Sequence, residues 1–169
     1  MSLCAQCARV QRTCCQYTDV LVTDGDILRI REYTDQPDFY ENRIPVDPSY
    51  LDQNDDPNWN AYTVLPDKSR RVLKQQENRD CIFLTEQGCV LPLEARPLVC
   101  RLYPIYFTES GLDGLAEGCP PQLQTPGKPL LDAVGVDIVS AERWRHLLYH
   151  ELRTGSVLYE NRHYLRPAG

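Results

Sequence analysis

The chain has 169 residues and a formal net charge of −6, with 24 acidic and 18 basic side chains. A chain of this length buries roughly 70% of the surface that it exposes when unfolded, so it can fold as one domain without cross-links. The acidic balance argues against general nucleic-acid binding, which requires a basic face. The sequence shows no basic-then-apolar leader, and its longest apolar runs are far shorter than the roughly 20 residues of a membrane span. A cytoplasmic protein without nucleic-acid or membrane partners is therefore expected.

The first predicted element is a helix over about residues 24–32. Thr23 and Asp26 have the spacing of a capping box, which places an acid in the first turn where the helix dipole favours negative charge. Its expected buried face is short and aliphatic: Ile27, Leu28 and Ile30. Residues 35–58 contain four prolines and little periodicity, which is typical of a surface loop with one short helical turn.

Three hairpins are predicted further along the chain, each from two short segments joined by turn residues. The first hairpin pairs residues 61–65 with residues 70–76, and the second pairs residues 81–84 with residues 89–91. The third forms within residues 105–118. In the second hairpin Gly88 is available for a positive φ. Between the second and third hairpins, residues 93–104 are expected to form a helical turn or short helix that Pro104 closes.

The last predicted element is an amphipathic helix over about residues 140–154, with Ser140 as its cap and Gly155 at its end. Its apolar face consists of Trp144, Leu147, Leu148 and Leu152. His146 and His150 project to the opposite face, which favours a solvated position. The sequence thus predicts one small, loop-rich α+β domain over residues 1–169, organised around one or more thiolate metal sites.

Eight cysteines are the strongest chemical signal in the sequence, and they form two groups of four. The first group is Cys4, Cys7, Cys14 and Cys15, and the second is Cys81, Cys89, Cys100 and Cys119. In a reducing compartment, clustered thiols more often bind metal or carry out redox chemistry than form structural disulfides. Disulfides are the alternative for an exported chain. The segments 4–15 and 81–119 are therefore candidate metal-binding segments, with all eight cysteines as candidate ligands.

The first group contains two informative spacings. Two residues separate Cys4 from Cys7, a spacing at which a turn directs both thiolates toward one ion. Cys14 and Cys15 are adjacent, and neighbouring side chains of an extended chain point to opposite sides. The pair either serves two different sites, or contributes one ligand and one spare thiol. A strained vicinal disulfide is the rarer alternative.

Arginines flank the cysteines of the second group. Arg96 and Arg101 lie near Cys100 in sequence, where cations lower thiol pKa values and offset the charge of a thiolate site. The alternative is that both side chains lie on a solvated surface.

Several motifs resemble the bacterial cysteine-cluster family often labelled YkgJ, which is described as a zinc- or iron-chelating domain. They are the CxxC…CC start, "VTDGDILRI", "CIFLTEQGCV" and "RPLVCRLYP". The resemblance covers about residues 4–33 and 81–120, and all eight cysteines fall on the family pattern, with Cys119 as the late one. It implies a metal-binding function.

Soft thiolate ligands suit zinc and iron–sulfur clusters. The family resemblance favours an iron–sulfur cluster, of the [4Fe–4S] type, over Zn²⁺. A redox or electron-transfer protein with an unidentified partner is the leading hypothesis, and the alternative is a zinc-stapled structural or protein-interaction module without catalytic activity. A metal-dependent enzyme would also need an open coordination position and nearby acid–base groups. His146 and His150 are candidates for those groups.

Overall fold

The computed structural model describes residues 6–7, 15–16, 18–51, 53–116 and 129–164, with side chains as far as residue 155. This part of the chain contains five α-helices, two short 3-10 helices and six strands in three two-stranded antiparallel sheets. The predicted α+β class is therefore confirmed. No helix within these ranges is both long enough and apolar enough to cross a bilayer. The single-domain organisation stays a prediction.

Helix α1 (Asp24–Thr34) confirms the first predicted helix together with its capping box. The Asp26 N–H donates to the Thr23 hydroxyl at 3.0 Å, and the Thr23 N–H donates to the Asp26 carboxylate at 3.0 Å. Both groups would otherwise be orphaned at the helix N-terminus, so the reciprocal pair fixes where α1 begins.

The buried side of α1 is narrower than predicted. Ile27 and Ile30 are buried, whereas 61% of Leu28 is exposed. Residues three apart share one helix face, and a residue directly after the first of them does not. The prediction of a buried Leu28 is therefore wrong.

Strands β1 (Tyr40–Arg43) and β2 (Arg70–Leu73) form an antiparallel pair. The expectation of a loop without strands over 35–58 is therefore wrong, and so is the pairing of 61–65 with 70–76. β1 reads Tyr-Glu-Asn-Arg, which has no β-branched residue and no apolar–polar alternation. Such a segment becomes a strand because β2 offers it partners, and its own sequence carries little strand signal.

Residues 61–65 belong mainly to a helix, since α2 spans Trp59–Thr63. Trp59 and Thr63 are four positions apart and both are buried. Burial on one helix face outweighs the strand propensity of this short segment. The single helical turn expected in the preceding loop is confirmed as a 3-10 helix at Pro48–Leu51.

The remaining predicted hairpins and the short helix between them are confirmed. β3 (Leu84–Thr85) pairs with β4 (Gly88–Cys89), and Gly88 has the expected positive φ of 101°. A 3-10 helix at Leu93–Ala95 leads into α3 (Leu98–Leu102), which ends before Pro104. The last sheet pairs the strands that follow: β5 (Ile105–Thr108) and β6 (Gly111–Leu115).

The C-terminal helix is longer than predicted at both ends. After α4 (Leu130–Val134), helix α5 spans Ile138–Tyr164. Its N-terminal cap is Asp137 rather than Ser140, because the Ser140 N–H donates to the Asp137 carboxylate at 2.8 Å. Gly155 does not end the helix.

Two apolar clusters build the core. The larger one surrounds α5, where Trp144, Leu148 and Leu152 are buried as predicted, with Leu147 partly buried. The smaller one lies between α1 and the second hairpin and includes Ile27, Ile30, Phe39, Phe83 and Leu91. The side chain of His146 is 73% exposed, and His150 is also exposed. The smaller cluster places α1 beside Cys81, Cys89 and Cys100.

Ile30→Ala should destabilise the protein by about 2–5 kcal/mol, because Ile30 is fully buried and its truncation leaves a cavity. Leu28→Ala, two residues earlier on α1, is the matched control and should cost well under 1 kcal/mol. Urea denaturation of both variants measures the difference. Similar losses from both variants would show that the buried face is assigned incorrectly.

Candidate metal centre

The structure describes five of the eight cysteines. Cys4, Cys14 and Cys119 lie outside the described residues, so their roles stay predictions. Four of the described cysteines converge, and they form what we call the thiol cluster: Cys15, Cys81, Cys89 and Cys100. The cluster combines one cysteine from the first sequence group with three from the second.

A backbone ladder brings Cys15 to Cys81. The Cys81 N–H donates to the Cys15 carbonyl at 2.7 Å, and the adjacent residues Gln16 and Asp80 also pair. Cys81 pairs on its other side with Gln75, which follows β2 along the chain. Cys15 and Cys81 are therefore held in register by backbone hydrogen bonds, although they are 66 positions apart in sequence.

Cys81 and Cys89 occupy equivalent turns on either side of the β3–β4 hairpin. The Phe83 N–H donates to the Cys81 thiol, and the Leu91 N–H donates to the Cys89 thiol. In each case the donor lies two residues after the cysteine. A hydrogen bond from a backbone N–H stabilises the thiolate form, so both turns suit a sulfur that binds a cation.

Cys100 reaches the cluster from α3. Its own N–H donates to the Pro97 carbonyl at 2.9 Å in the first turn of that short helix. Cys100 and the neighbouring Val99 pack against the smaller apolar cluster, where Cys81 is buried. The fourth thiol thus comes from a helix, whereas Cys15 and Cys81 are held by the ladder and Cys89 by a hairpin.

The four cysteines lie in one region of the fold, at the smaller apolar cluster. They influence one another electrostatically, since neighbouring thiolates raise a thiol pKa: Cys15 and Cys89 act on Cys81, Cys15 acts on Cys89, and the other three act on Cys100.

Burial is the largest influence on these thiols. It raises the pKa of Cys81 to about 12, and it raises the pKa values of Cys89 and Cys100 as well. Cys100 keeps part of its residue surface exposed, yet its sulfur is well enclosed and its pKa is raised strongly. Without a nearby cation these three thiols hold their protons, and metal binding has to displace them.

One of the two flanking arginines contacts a cysteine. Arg96 donates to the Cys89 thiol and lowers its pKa by its charge, and its Nε donates to the Leu91 carbonyl at 2.9 Å. Arg101 instead donates to the carbonyls of Glu94 and Arg96. Charge compensation is therefore supported for Arg96, whereas Arg101 serves to fix the loop before α3.

The donor set fits a thiolate-bound metal in its chemistry. Four soft sulfur donors converge, two of them accept backbone N–H bonds, and a guanidinium adjoins one. Across the described ranges, however, no group of three or more His, Cys, Asp or Glu side chains is arranged so that it could hold a metal ion. Metal binding at the thiol cluster is therefore a proposal, and it requires the four cysteines to move closer together.

Sequence reasoning missed Asp26 as a contributor to this region. Its carboxylate accepts the N–H of Leu98, the first residue of α3, at 3.0 Å. The capping-box spacing identified Asp26 as a helix cap, but nothing in the sequence indicates that a second helix shares the same carboxylate.

No family model, curated protein or solved structure matches this chain. The family resemblance therefore stays a prediction from the motifs.

The reduced, metal-free protein should lose stability as the pH rises from about 9 to about 12. Cys81 keeps its proton up to about pH 12 in the folded chain, whereas the ordinary value for the unfolded chain is 9.0. Above that ordinary value the unfolded state binds fewer protons, so the free energy of unfolding falls by up to about 1.4 kcal/mol per pH unit from this thiol.

Denaturation of wild type and Cys81→Ser across this pH range measures the effect. The variant should show the shallower fall, because serine does not titrate there. Equal slopes would contradict the assigned environment of Cys81.

Proposed function

We propose that this protein binds a metal centre through the thiol cluster. The observation that carries the proposal is that four cysteines from segments far apart in sequence lie at one apolar cluster, with Cys15 and Cys81 joined by a backbone hydrogen bond. An apolar core gains little from four neighbouring thiols whose ionised forms repel one another. A bound cation turns the same arrangement into a favourable one.

Two features favour ligands over inert buried cysteines. Cys81 and Cys89 each accept an N–H from two residues ahead, and Arg96 adds a cation beside Cys89. These contacts lower thiol pKa values in a region where burial raises them. Groups that stabilise the thiolate do not stabilise a buried cysteine that stays protonated, but they do stabilise a thiolate that is bound to a metal.

The occupant is either an iron–sulfur cluster of the [4Fe–4S] type or Zn²⁺, since four thiolates suit both. An iron–sulfur cluster supplies reversible one-electron chemistry, which makes electron transfer with an unidentified redox partner the leading function. Zn²⁺ would make the protein a structural or interaction module. In both cases Cys81, Cys89 and Cys15 hold the metal from the loops and Cys100 holds it from α3.

The other four cysteines remain candidates for a second site: Cys4, Cys7, Cys14 and Cys119. This division keeps the sequence prediction that the adjacent Cys14 and Cys15 have different roles. Cys15 belongs to the thiol cluster, so Cys14 is proposed to serve the second site or to be a spare thiol. A reducing, cytoplasmic location is part of the proposal, because all eight thiols must stay reduced to act as ligands.

An enzymatic function has less support. His146 and His150 lie exposed on α5, away from the apolar cluster that holds the cysteines.

Anaerobic purification followed by visible absorption and quantification of iron, zinc and acid-labile sulfide tests the proposal. We expect stoichiometric metal: iron with sulfide for a cluster, or zinc in a colourless protein. Cys81→Ser or Cys100→Ser should remove this metal and lower the melting temperature, because the bound metal stabilises only the folded chain.

Val90→Ser is the matched control for these variants. Val90 adjoins Cys89 but is 48% exposed, so its replacement should leave metal content and melting temperature unchanged. Metal-free wild-type protein, or full metal content in both cysteine variants, would overturn the proposal.

Cys15→Ser should lose as much metal as Cys81→Ser, whereas Cys14→Ser should leave the thiol cluster loaded. The reason is that Cys15 influences Cys81 directly, whereas Cys14 is proposed to serve another site or to be a spare thiol. Metal analysis of the purified variants, each with Cys4 and Cys7 intact, compares the two directly. Equal loss from Cys14→Ser and Cys15→Ser would mean that the adjacent thiols serve a common centre.

A further inference from the structure

The buried side chain of Asp26 accepts hydrogen bonds from two different helices. Its Oδ2 accepts the Thr23 N–H at 3.0 Å within the capping box of α1, and its Oδ1 accepts the Leu98 N–H at 3.0 Å. Leu98 begins α3, and the preceding Pro97 provides no side-chain cap. Asp26 therefore caps α3 from a neighbouring helix.

This cap matters because α3 is only five residues long. A helix of that length does not form by itself, and its first N–H groups require acceptors from elsewhere. Cys100 lies two residues after Leu98, in the same helical turn. The position of the Cys100 thiol thus depends on how α3 is held, by the packing of Leu98 and Leu102 in the larger apolar cluster and by the hydrogen bond from Leu98 to Asp26.

An ion-pair network fixes the Asp26 carboxylate. Arg29 donates to Asp26 Oδ1 at 2.6 Å and to both oxygens of Glu151, at 2.6 and 3.0 Å. The Thr23 hydroxyl also donates to Glu151. Glu151 lies on α5, so the network joins α1 and α5, and Asp26 extends it to α3. A carboxylate held by several charge-assisted bonds is a rigid acceptor.

Because Gly25 has no side chain, α1 and α5 can approach each other closely at this position. A Cβ at Gly25 would lie 2.2 Å from a carboxylate oxygen of Glu151, which is too close for any real contact. Glu151 is itself held by Arg29 and Thr23, so it has little freedom to move aside. The absence of a side chain at position 25 is therefore required by the network.

We infer that Asp26 is a positioning residue for the metal centre: by anchoring α3, it holds Cys100 against the other three thiols. This inference rests on the proposed function and assigns a role to a residue that is not a ligand. Asp26 lies close enough to Cys100 for its charge to influence that thiol. Glu151 on α5 binds Arg29, and Arg29 binds Asp26, so α5 helps to position Cys100 although Cys100 lies on α3.

Asp26→Asn tests the inference, with Asp24→Asn as its matched control. Both changes remove one carboxylate from the first turn of α1, but the side chain of Asp24 is 48% exposed and pairs with Arg71. Cobalt(II) titrated without oxygen into metal-free protein reports affinity, and sulfur-to-cobalt absorption reports the number of thiolate ligands. We expect Asp26→Asn to bind about 10–100-fold more weakly, with reduced sulfur-to-cobalt absorption. Asp24→Asn should match wild type, and an Asp26→Asn protein that also matches wild type would overturn the inference.

Alkylation of the metal-free protein separates this inference from the proposed function. Iodoacetamide labelling, followed by peptide mass spectrometry, compares Cys100 with Cys81 in each variant. Asp26→Asn should label Cys100 several-fold faster relative to Cys81, because α3 has lost its anchor. If wild type does not bind cobalt, the proposed function fails, and an unchanged labelling ratio overturns the inference on its own.

Gly25→Ala provides a second route if Asp26→Asn does not fold. The added Cβ displaces Glu151 and loosens Arg29, yet Asp26 itself is retained. Gly111→Ala is the control, because a Cβ there meets nothing within 4 Å. Weaker cobalt binding and faster Cys100 labelling in Gly25→Ala alone support the inference, and identical behaviour of the two variants overturns it.

Discussion

Four thiolates cannot share a buried site without a cation. Burial raises the pKa values of Cys81, Cys89 and Cys100, and neighbouring thiolates raise them further. Two N–H donors and the Arg96 guanidinium offset only part of this cost. The metal-free chain therefore holds protons at the site, and a soft metal that replaces them removes the repulsion. Under the proposed metal-binding function, the surrounding backbone has to bring these sulfurs to one place.

The backbone meets that need with little regular structure. Backbone hydrogen bonds join Cys15 to Cys81. The β3–β4 hairpin, with two residues in each strand, ends at Cys89, and α3 contains Cys100. None of these elements is long enough to be stable alone. Their positions are maintained by the apolar cluster beneath α1 and by the buried carboxylate of Asp26, which ties α3 to the larger core around α5.

Local signals in the sequence predicted much of the fold. The capping box located α1, Gly88 located the second hairpin, and the apolar spacing of Trp144, Leu148 and Leu152 located α5. Elements that depend on partners were missed: β1 has no strand pattern and forms because β2 lies beside it. The candidate site was predictable as a list of cysteines, since residue type and spacing indicate metal chemistry. Their grouping was not, because Cys15 joins three thiols of the other sequence group through tertiary backbone pairing, and the double use of Asp26 is likewise a long-range contact.

X-ray absorption spectroscopy of the metal-loaded protein tests the central claim most directly, because it counts the atoms bound to the metal. Thiolate ligation predicts a first shell of sulfur alone, at about 2.3 Å for either zinc or iron. An iron–sulfur cluster adds an iron–iron distance that zinc lacks, so the same spectrum distinguishes the two occupants. A first shell dominated by nitrogen or oxygen would contradict the account, because it would place the metal away from the thiol cluster.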